Sequence, residues 1–158
     1  MAIVEHSIEI FASVDLVSQV SQDYSVRYEW DPFPETISVI RGSMAPPTVG
    51  SQVLVRSKLG MEMLVEFVQV AHPNRAAIKM VKGPLAMAKF AGSWIFEDVQ
   101  GHSTVVRFRY LIATRPLLLS WLGDRIATAY FSLITRKRLT GLKRYCESRS
   151  AQSTARLP

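Results

Sequence analysis

His6, Asp31, Glu35, Tyr110 and Arg138 have the residue types that suit proton transfer or recognition of an anion. His6 shares a side with Val4, Ile8 and Ile10 in an alternating segment, where its imidazole can act as a general base with the Tyr110 phenol assisting. The expected role is plainer: a histidine at a sheet margin whose ring one neighbour satisfies. Asp31 and Glu35 flank the prolines of DPFPE, and turn chemistry accounts for Asp31 without acid–base work. Arg138 falls in the apolar stripe of the last helical segment, where a guanidinium either meets a ligand carboxylate or, as expected here, snorkels to solvent. His72 and His102 sit in turn sequences, and no two His or carboxylates have metal-ligand spacing on a shared element. Neither a Ser-His-Asp arrangement nor a Gly-rich phosphate loop is present, and no metal or cofactor is expected.

The elements that must position these residues follow from periodicity. Val4 to Ile10 alternates as a first strand, Ser13 or Asp15 caps a short helix through Gln22, and a helical turn over Tyr24 to Glu29 ends at Trp30-Asp31-Pro32. A strand over Thr36 to Gly42 is broken by Ala45-Pro46-Pro47. A meander follows. Val53, Val55, Ser57 and Leu59 share one face before the turn at Gly60. Met63, Val65 and Phe67, then Ile78 and Met80, continue that face on either side of His72-Pro73-Asn74-Arg75. Phe90, Gly92, Trp94 and Phe96, then Val106, Phe108, Tyr110 and Ile112, complete it, with Arg107 and Arg109 opposed. One face of such a sheet must be covered.

Pro116 to about Glu147 supplies the cover as a long helix. Ala127, Phe131, Ile134, Thr135, Leu142 and Cys146 form a stripe that persists to its end. A second stripe, Leu118, Leu122, Ile126, Ala129 and Leu133, continues only into Lys137 and Arg144, so the first half is apolar nearly all round. That second face implies an outside contact.

Composition bounds the rest. A chain of 158 residues with 48% hydrophobic and 20% charged residues is one ordinary globular domain. We expect a single domain over 1–148 and a flexible tail over 149–158, rich in Ser, Ala, Gln and Thr. The one cysteine, Cys146, excludes a disulfide framework and fits a reducing cytoplasm. The N-terminus does not read as a signal peptide, and Asp124 and Arg125 interrupt the longest apolar run, Leu117 to Ile134. The net charge of +6 is carried by residues 115–158, which hold nine Lys or Arg against Asp124 and Glu147. No aromatics interleave with that basic run, which argues against nucleic acid. A solvated helix face is the expected role, and an anionic membrane surface or acidic partner the next.

The order of elements, with IEIFASVDLVSQVSQDYSVRYEWDPF near the start, FAGSWIFEDVQGHSTVVRFRYLIATRP near the sheet's end and RKRLTGLKRYCE in the last helix, resembles the helix-grip superfamily. That superfamily includes pollen-allergen-like proteins, START lipid-transfer domains and bacterial polyketide cyclase/dehydrase proteins. The resemblance covers about residues 2–148. LLLSWLG at 117–123 is similar to an elaboration of the cyclase-like branch; the coenzyme-Q-binding branch matches less well at the N-terminus. The resemblance implies an α+β fold in which a curved antiparallel sheet of about seven strands wraps a long C-terminal helix, with two short helices between strands 1 and 2. It also implies an internal cavity, and no particular reaction.

The residues expected around that cavity are Trp30, Val55, Ser57, Met63, Val65, Phe67, Ile78, Met80, Phe90, Trp94, Phe108, Tyr110, Phe131 and Arg138. Aliphatic, Met and aromatic side chains suit a lipid-like or polycyclic molecule. The first expectation is therefore binding or carriage of a hydrophobic small molecule. An enzyme of the polyketide cyclase/dehydrase type, doing lyase or isomerase chemistry in the same cavity, is the alternative, and a membrane-associated or interaction module is third. For the unexplained helix face a homodimer is expected, with an anionic membrane surface as the competing partner.

Overall fold

The computed structural model describes residues 1–43, 46–115 and 120–154. Strand β1 (Ala2–Ile10) leads into helices α1 (Val14–Gln22) and α2 (Arg27–Trp30). Strands β2 (Pro34–Arg41), β3 (Gln52–Ser57), β4 (Glu62–Ala71), β5 (Arg75–Lys82), β6 (Met87–Val99) and β7 (Ser103–Thr114) follow, and helix α3 (Ser120–Thr154) comes last. The strands form one antiparallel sheet in the order β1-β7-β6-β5-β4-β3-β2. The meander of β2 to β7 is thus closed at one edge by the N-terminal strand, which pairs with β7.

Alternation decides which face is covered. Val106, Phe108, Tyr110 and Ile112 are buried on β7 and pair directly with Phe96, Trp94, Gly92 and Phe90 of β6, also buried. Arg107 and Arg109 point outward, where both pair with Glu5 at 3.8 Å. Turn chemistry closes the hairpins: Gly60 and Gly101 adopt φ of 77° and 73°, open to glycine without a Cβ penalty. Ser13 caps α1, its Oγ accepting the Leu16 N–H at 3.4 Å.

Helix α3 lies against β1 and β7 and touches α1 and α2. Of the stripe that persists in sequence, Phe131, Thr135, Leu142 and Cys146 are buried beneath it and Ala127 and Ile134 are half-buried; Leu139, outside that stripe, is buried too. Leu122, Ile126 and Leu133 on the other stripe are exposed.

Several sequence expectations need correcting. Strand β3 ends at Ser57, and Leu59 is 75% exposed in the following turn instead of facing the core. The Ser57 N–H donates to the Met61 carbonyl and the Gly60 N–H to the Ser57 carbonyl, so the chain reverses before Leu59 can enter the sheet. Helix α3 runs to Thr154, past the end expected near Glu147 and into the segment assigned to a flexible tail. The Arg149 guanidinium, 4.9 Å from the Tyr145 ring, helps carry it on. The expected start at Pro116, and the apolar Leu118 and Leu119, lie outside the described residues.

Candidate functional site

Helix α2 is only four residues long, yet it brings Arg27 and Asp31 four positions apart to the inner face of the fold. Asp31, at the helix end, turns its Oδ1 back to accept the Phe33 N–H at 3.0 Å, the turn role expected of it. Its Oδ2 does more. It accepts Arg27 Nε at 3.0 Å and, from α3, Arg138 Nη2 at 2.8 Å and Arg138 Nε at 3.0 Å. Arg138 Nη1 also donates to the Tyr110 hydroxyl, and Arg27 Nη1 to the Ser21 carbonyl.

All of this is inside the protein. Arg27 and Arg138 are each 5% exposed and Asp31 3%. Arg138 therefore does not snorkel: Asp31 gives its guanidinium a buried partner, which the helix stripe alone does not reveal. Aromatic faces surround the charges, with Arg27 4.8 Å from the Tyr24 ring and 4.9 Å from that of Trp30. Arg138 lies 4.9 Å from Phe108 and 5.4 Å from Phe33.

Burial and neighbours act differently on the two guanidiniums. Burial pulls Arg27 below its ordinary pKa, with Tyr24 and Asp31 offsetting it only in part. Burial works against Arg138 too, but the Asp31 carboxylate and Tyr110 more than offset it and hold it above the ordinary value. Burial raises the phenols of Tyr24 and Tyr110, so both stay neutral.

One close approach makes the site possible. A Cβ at Gly141 would collide with the Trp30 carbonyl oxygen, so glycine lets α3 reach α2 and carry Arg138 to Asp31.

Two small cavities flank the arginines. One of about 40 Å³ is lined by Tyr24, Arg27, Asp31, Phe33, Val55, Met63, Val65, Ile78, Phe90, Tyr110 and Arg138, among others. The second, about 20 Å³, adds Phe67, Trp94 and Phe108. An outer pocket of about 410 Å³ opens between the 58–61 and 83–86 turns and α3, and Met61, Met87, Tyr130 and Phe131 are in its wall. Phe131 stands between: its ring centroid is 5.1 Å from Tyr110 and 5.4 Å from Phe90, which line the inner cavity. A larger depression, about 880 Å³, adjoins the outer pocket at Leu59, Met61 and Pro84 and spreads over the outward-facing Leu54 and Leu64 and the exposed Ile40.

Most expected cavity residues thus converge. Val55, Met63, Val65, Phe67, Ile78, Phe90, Trp94, Phe108, Tyr110 and Arg138 line the inner cavities, and Phe131 the outer pocket. Three do not. Trp30 is buried beside Arg27, and its indole N–H has no hydrogen-bond partner among the described residues. Ser57 is tied to the turn, its Oγ accepting the Met61 N–H at 3.1 Å, and Met80 is half-buried outside the cavity walls. His6 and Tyr110 have separate partners: His6 Nε2 lies 2.8 Å from Ser132 Oγ, and the Tyr110 hydroxyl is held by Arg138. Burial, then the nearby Arg136, lowers the His6 pKa. Glu35 forms an exposed pair with Arg56 at 3.3 Å. Among the described residues no group of His, Cys, Asp and Glu is arranged to hold a metal ion. Sequence reasoning missed Arg27, Tyr24 and Gly141. The Arg27-to-Asp31 spacing of four was the available signal for the first.

A family model described as polyketide cyclase/dehydrase and lipid transport matches residues 1–147, and the chain belongs to that family. No curated protein matches the sequence. Among solved structures, the chain is similar to the Zhui aromatase/cyclase from Streptomyces sp. R1128, at TM-score 0.80 and 15% identity, with 94% of each chain covered. It is similar to a START superfamily protein from Mycobacterium smegmatis at TM-score 0.68 and 13% identity, covering 95% of this chain and 97% of that one. A point mutant of norcoclaurine synthase from Thalictrum flavum, in complex with a transition-state analogue, aligns at TM-score 0.70 and 14% identity, covering 94% and 95%. At these identities the likenesses establish the helix-grip fold. No helix among the described residues is long and apolar enough to cross a membrane.

Proposed function

We propose that this protein binds and carries an apolar small molecule held between its sheet and α3. The observation that carries this is the outer pocket of about 410 Å³, whose inner wall, Phe131, is a single ring away from the arginine-bearing cavity. That volume falls in the range of small-molecule sites. The Met61 and Met87 thioethers adapt to varied apolar shapes, and the Phe131 ring, packed on Tyr110 and Phe90, is what separates the two spaces. Family membership supports the same function.

The alternative, a cyclase/dehydrase-type enzyme, is favoured by the Tyr110 phenol beside Arg138, a pair able to polarise a ligand carbonyl. Against it, guanidiniums do not exchange protons at neutral pH, and Asp31 is fully engaged by its donors. Native mass spectrometry of protein purified without detergent tests the proposal. It should show a bound apolar compound, recovered unchanged after long incubation. Recovery of a chemically altered compound would favour the enzyme, and failure to retain any apolar compound offered would remove both.

We also infer that the mouth of the pocket meets an anionic membrane surface rather than a second copy of this chain. Ile126 and Leu133 are 62% and 53% exposed, and the cations flanking them, Arg125, Arg136 and Lys137, are exposed too. Apolar insertion and attraction to anionic lipid add, whereas two such faces repel one another. Sedimentation with phosphatidylserine vesicles but not phosphatidylcholine vesicles is expected. A dimer in light scattering, with no sedimentation, would contradict it.

A further inference from the structure

The charge inside the fold does not balance. Two guanidiniums and one carboxylate meet at Asp31, and among the described residues Asp31 is the only carboxylate lining either inner cavity. The two phenols nearby, Tyr24 and Tyr110, are buried and neutral, so they offer no second negative charge. The rings around Arg27 ease the burial of a cation but carry no net charge. A net buried positive charge is costly unless something pairs with it.

The surplus lies at Arg27. Arg138 has two contacts to Asp31 and one to Tyr110, while Arg27 has a single contact to the same oxygen and a second to the neutral Ser21 carbonyl. The Trp30 ring stacks on Arg27 from outside the cavity walls, and its indole N–H has no hydrogen-bond partner among the described residues. Both arginines are in the walls of both inner cavities, and about 40 Å³ is room for a head group and not for the body of a ligand. The body has the outer pocket.

We propose that the natural ligand is a monoanion: an apolar molecule whose one carboxylate lies against Arg27 in the inner cavity and whose apolar body passes Phe131 into the outer pocket. This rests on the apolar-ligand function proposed above and adds the chemical class. A planar guanidinium accepts a carboxylate in a charge-assisted, two-point contact, and the contact brings the buried charges to zero.

The test uses the whole chain with N-phenyl-1-naphthylamine as a neutral fluorescent probe, displaced at neutral pH by dodecanoate, 1-dodecanol or dodecyltrimethylammonium, which share one tail. Dodecanoate should displace the probe at least about tenfold more tightly than dodecanol, with the cation weakest. In Arg27→Met, which leaves a balanced Asp31–Arg138 pair, the preference for the acid should fall to less than about threefold; Arg27→Lys should keep it. Equal displacement by acid and alcohol in the wild type overturns the monoanion while leaving the apolar-ligand function standing. A probe that does not bind, with no tail binding by calorimetry, overturns both. A cooperatively melting Arg27→Met that keeps the full acid preference overturns the placement at Arg27. Should that variant not fold, the wild-type series and Arg27→Lys still decide.

Discussion

Asp31 Oδ2 lies 2.8 Å from Arg138 Nη2 across a sequence separation of 107 residues, and the same oxygen is 3.0 Å from Arg27 Nε. One carboxylate oxygen thereby ties the shortest helix of the fold to the longest, on the line where the sheet's apolar face meets both. The order of stability among variants follows from counting charges. Asp31→Asn leaves two buried guanidiniums with no counter-ion and should cost on the order of 3–5 kcal/mol in urea denaturation. Arg138→Met leaves a balanced Arg27–Asp31 pair and should cost clearly less. The reverse order would contradict the network.

Gly141→Ala tests the packing that brings the network together. The added methyl meets the Trp30 carbonyl, a backbone atom that cannot swing aside, so α3 must shift. A loss of about 1–3 kcal/mol is expected from overpacking, together with a changed near-ultraviolet signal from Trp30 and Trp94. Neutral behaviour would mean that α3 has slack at this crossing.

Much of this architecture is legible in the sequence because period two leaves few choices. Phe108 and Tyr110 cannot share a face with Arg107 and Arg109, and the structure buries the first pair and exposes or half-exposes the second. The strand residues around the inner cavities follow from that face, whereas Tyr24, Arg27 and Arg138 lie off the sheet and do not. Arg138 was visible as a cation in an apolar stripe, but its fate was not, because a stripe says nothing about a partner 107 positions away. Leu59 was misplaced because alternation does not mark its own end; the hydrogen bonds of the 57–61 turn do. Gly141 gave no signal, since a helical glycine declares its purpose only through what lies opposite.

Cys146 gives a pH prediction. Burial pushes its thiol from an ordinary 9.0 up to about 12, so the folded state holds the proton more tightly than the unfolded state does. Its contribution is present in full below pH 9 and is lost as pH rises toward about 12. The raised phenols of Tyr24 and Tyr110 act with the same sign. Folding stability should therefore fall through this alkaline window, and the thiol should resist a disulfide reagent at pH 8 until denaturant is added. Rapid labelling of the native protein would contradict the burial.

His6→Gln should leave retention of an apolar ligand unchanged, since the ring is held by Ser132 and not by the cavity. Its pKa is lowered by burial and Arg136, so neutral His6 contributes stability above its ordinary 6.5 that is lost as pH falls below it. The variant should show a shallower acid-side loss of stability in thermal melts. A loss of ligand turnover with intact binding would instead make His6 catalytic.

The proposed ligand lies between sheet and helix, and methyl-labelled methionine in nuclear magnetic resonance reports that location directly. Met63 lines the inner cavity, Met87 and Met61 line the outer pocket, and exposed Met1 serves as the reference. On addition of dodecanoate, the Met63 and Met87 signals should both move while Met1 stays fixed. Shifts confined to Met61, which also borders the surface depression, without Met87, or no shift at Met63 under saturating ligand, would place binding outside the cavity and contradict the proposed site.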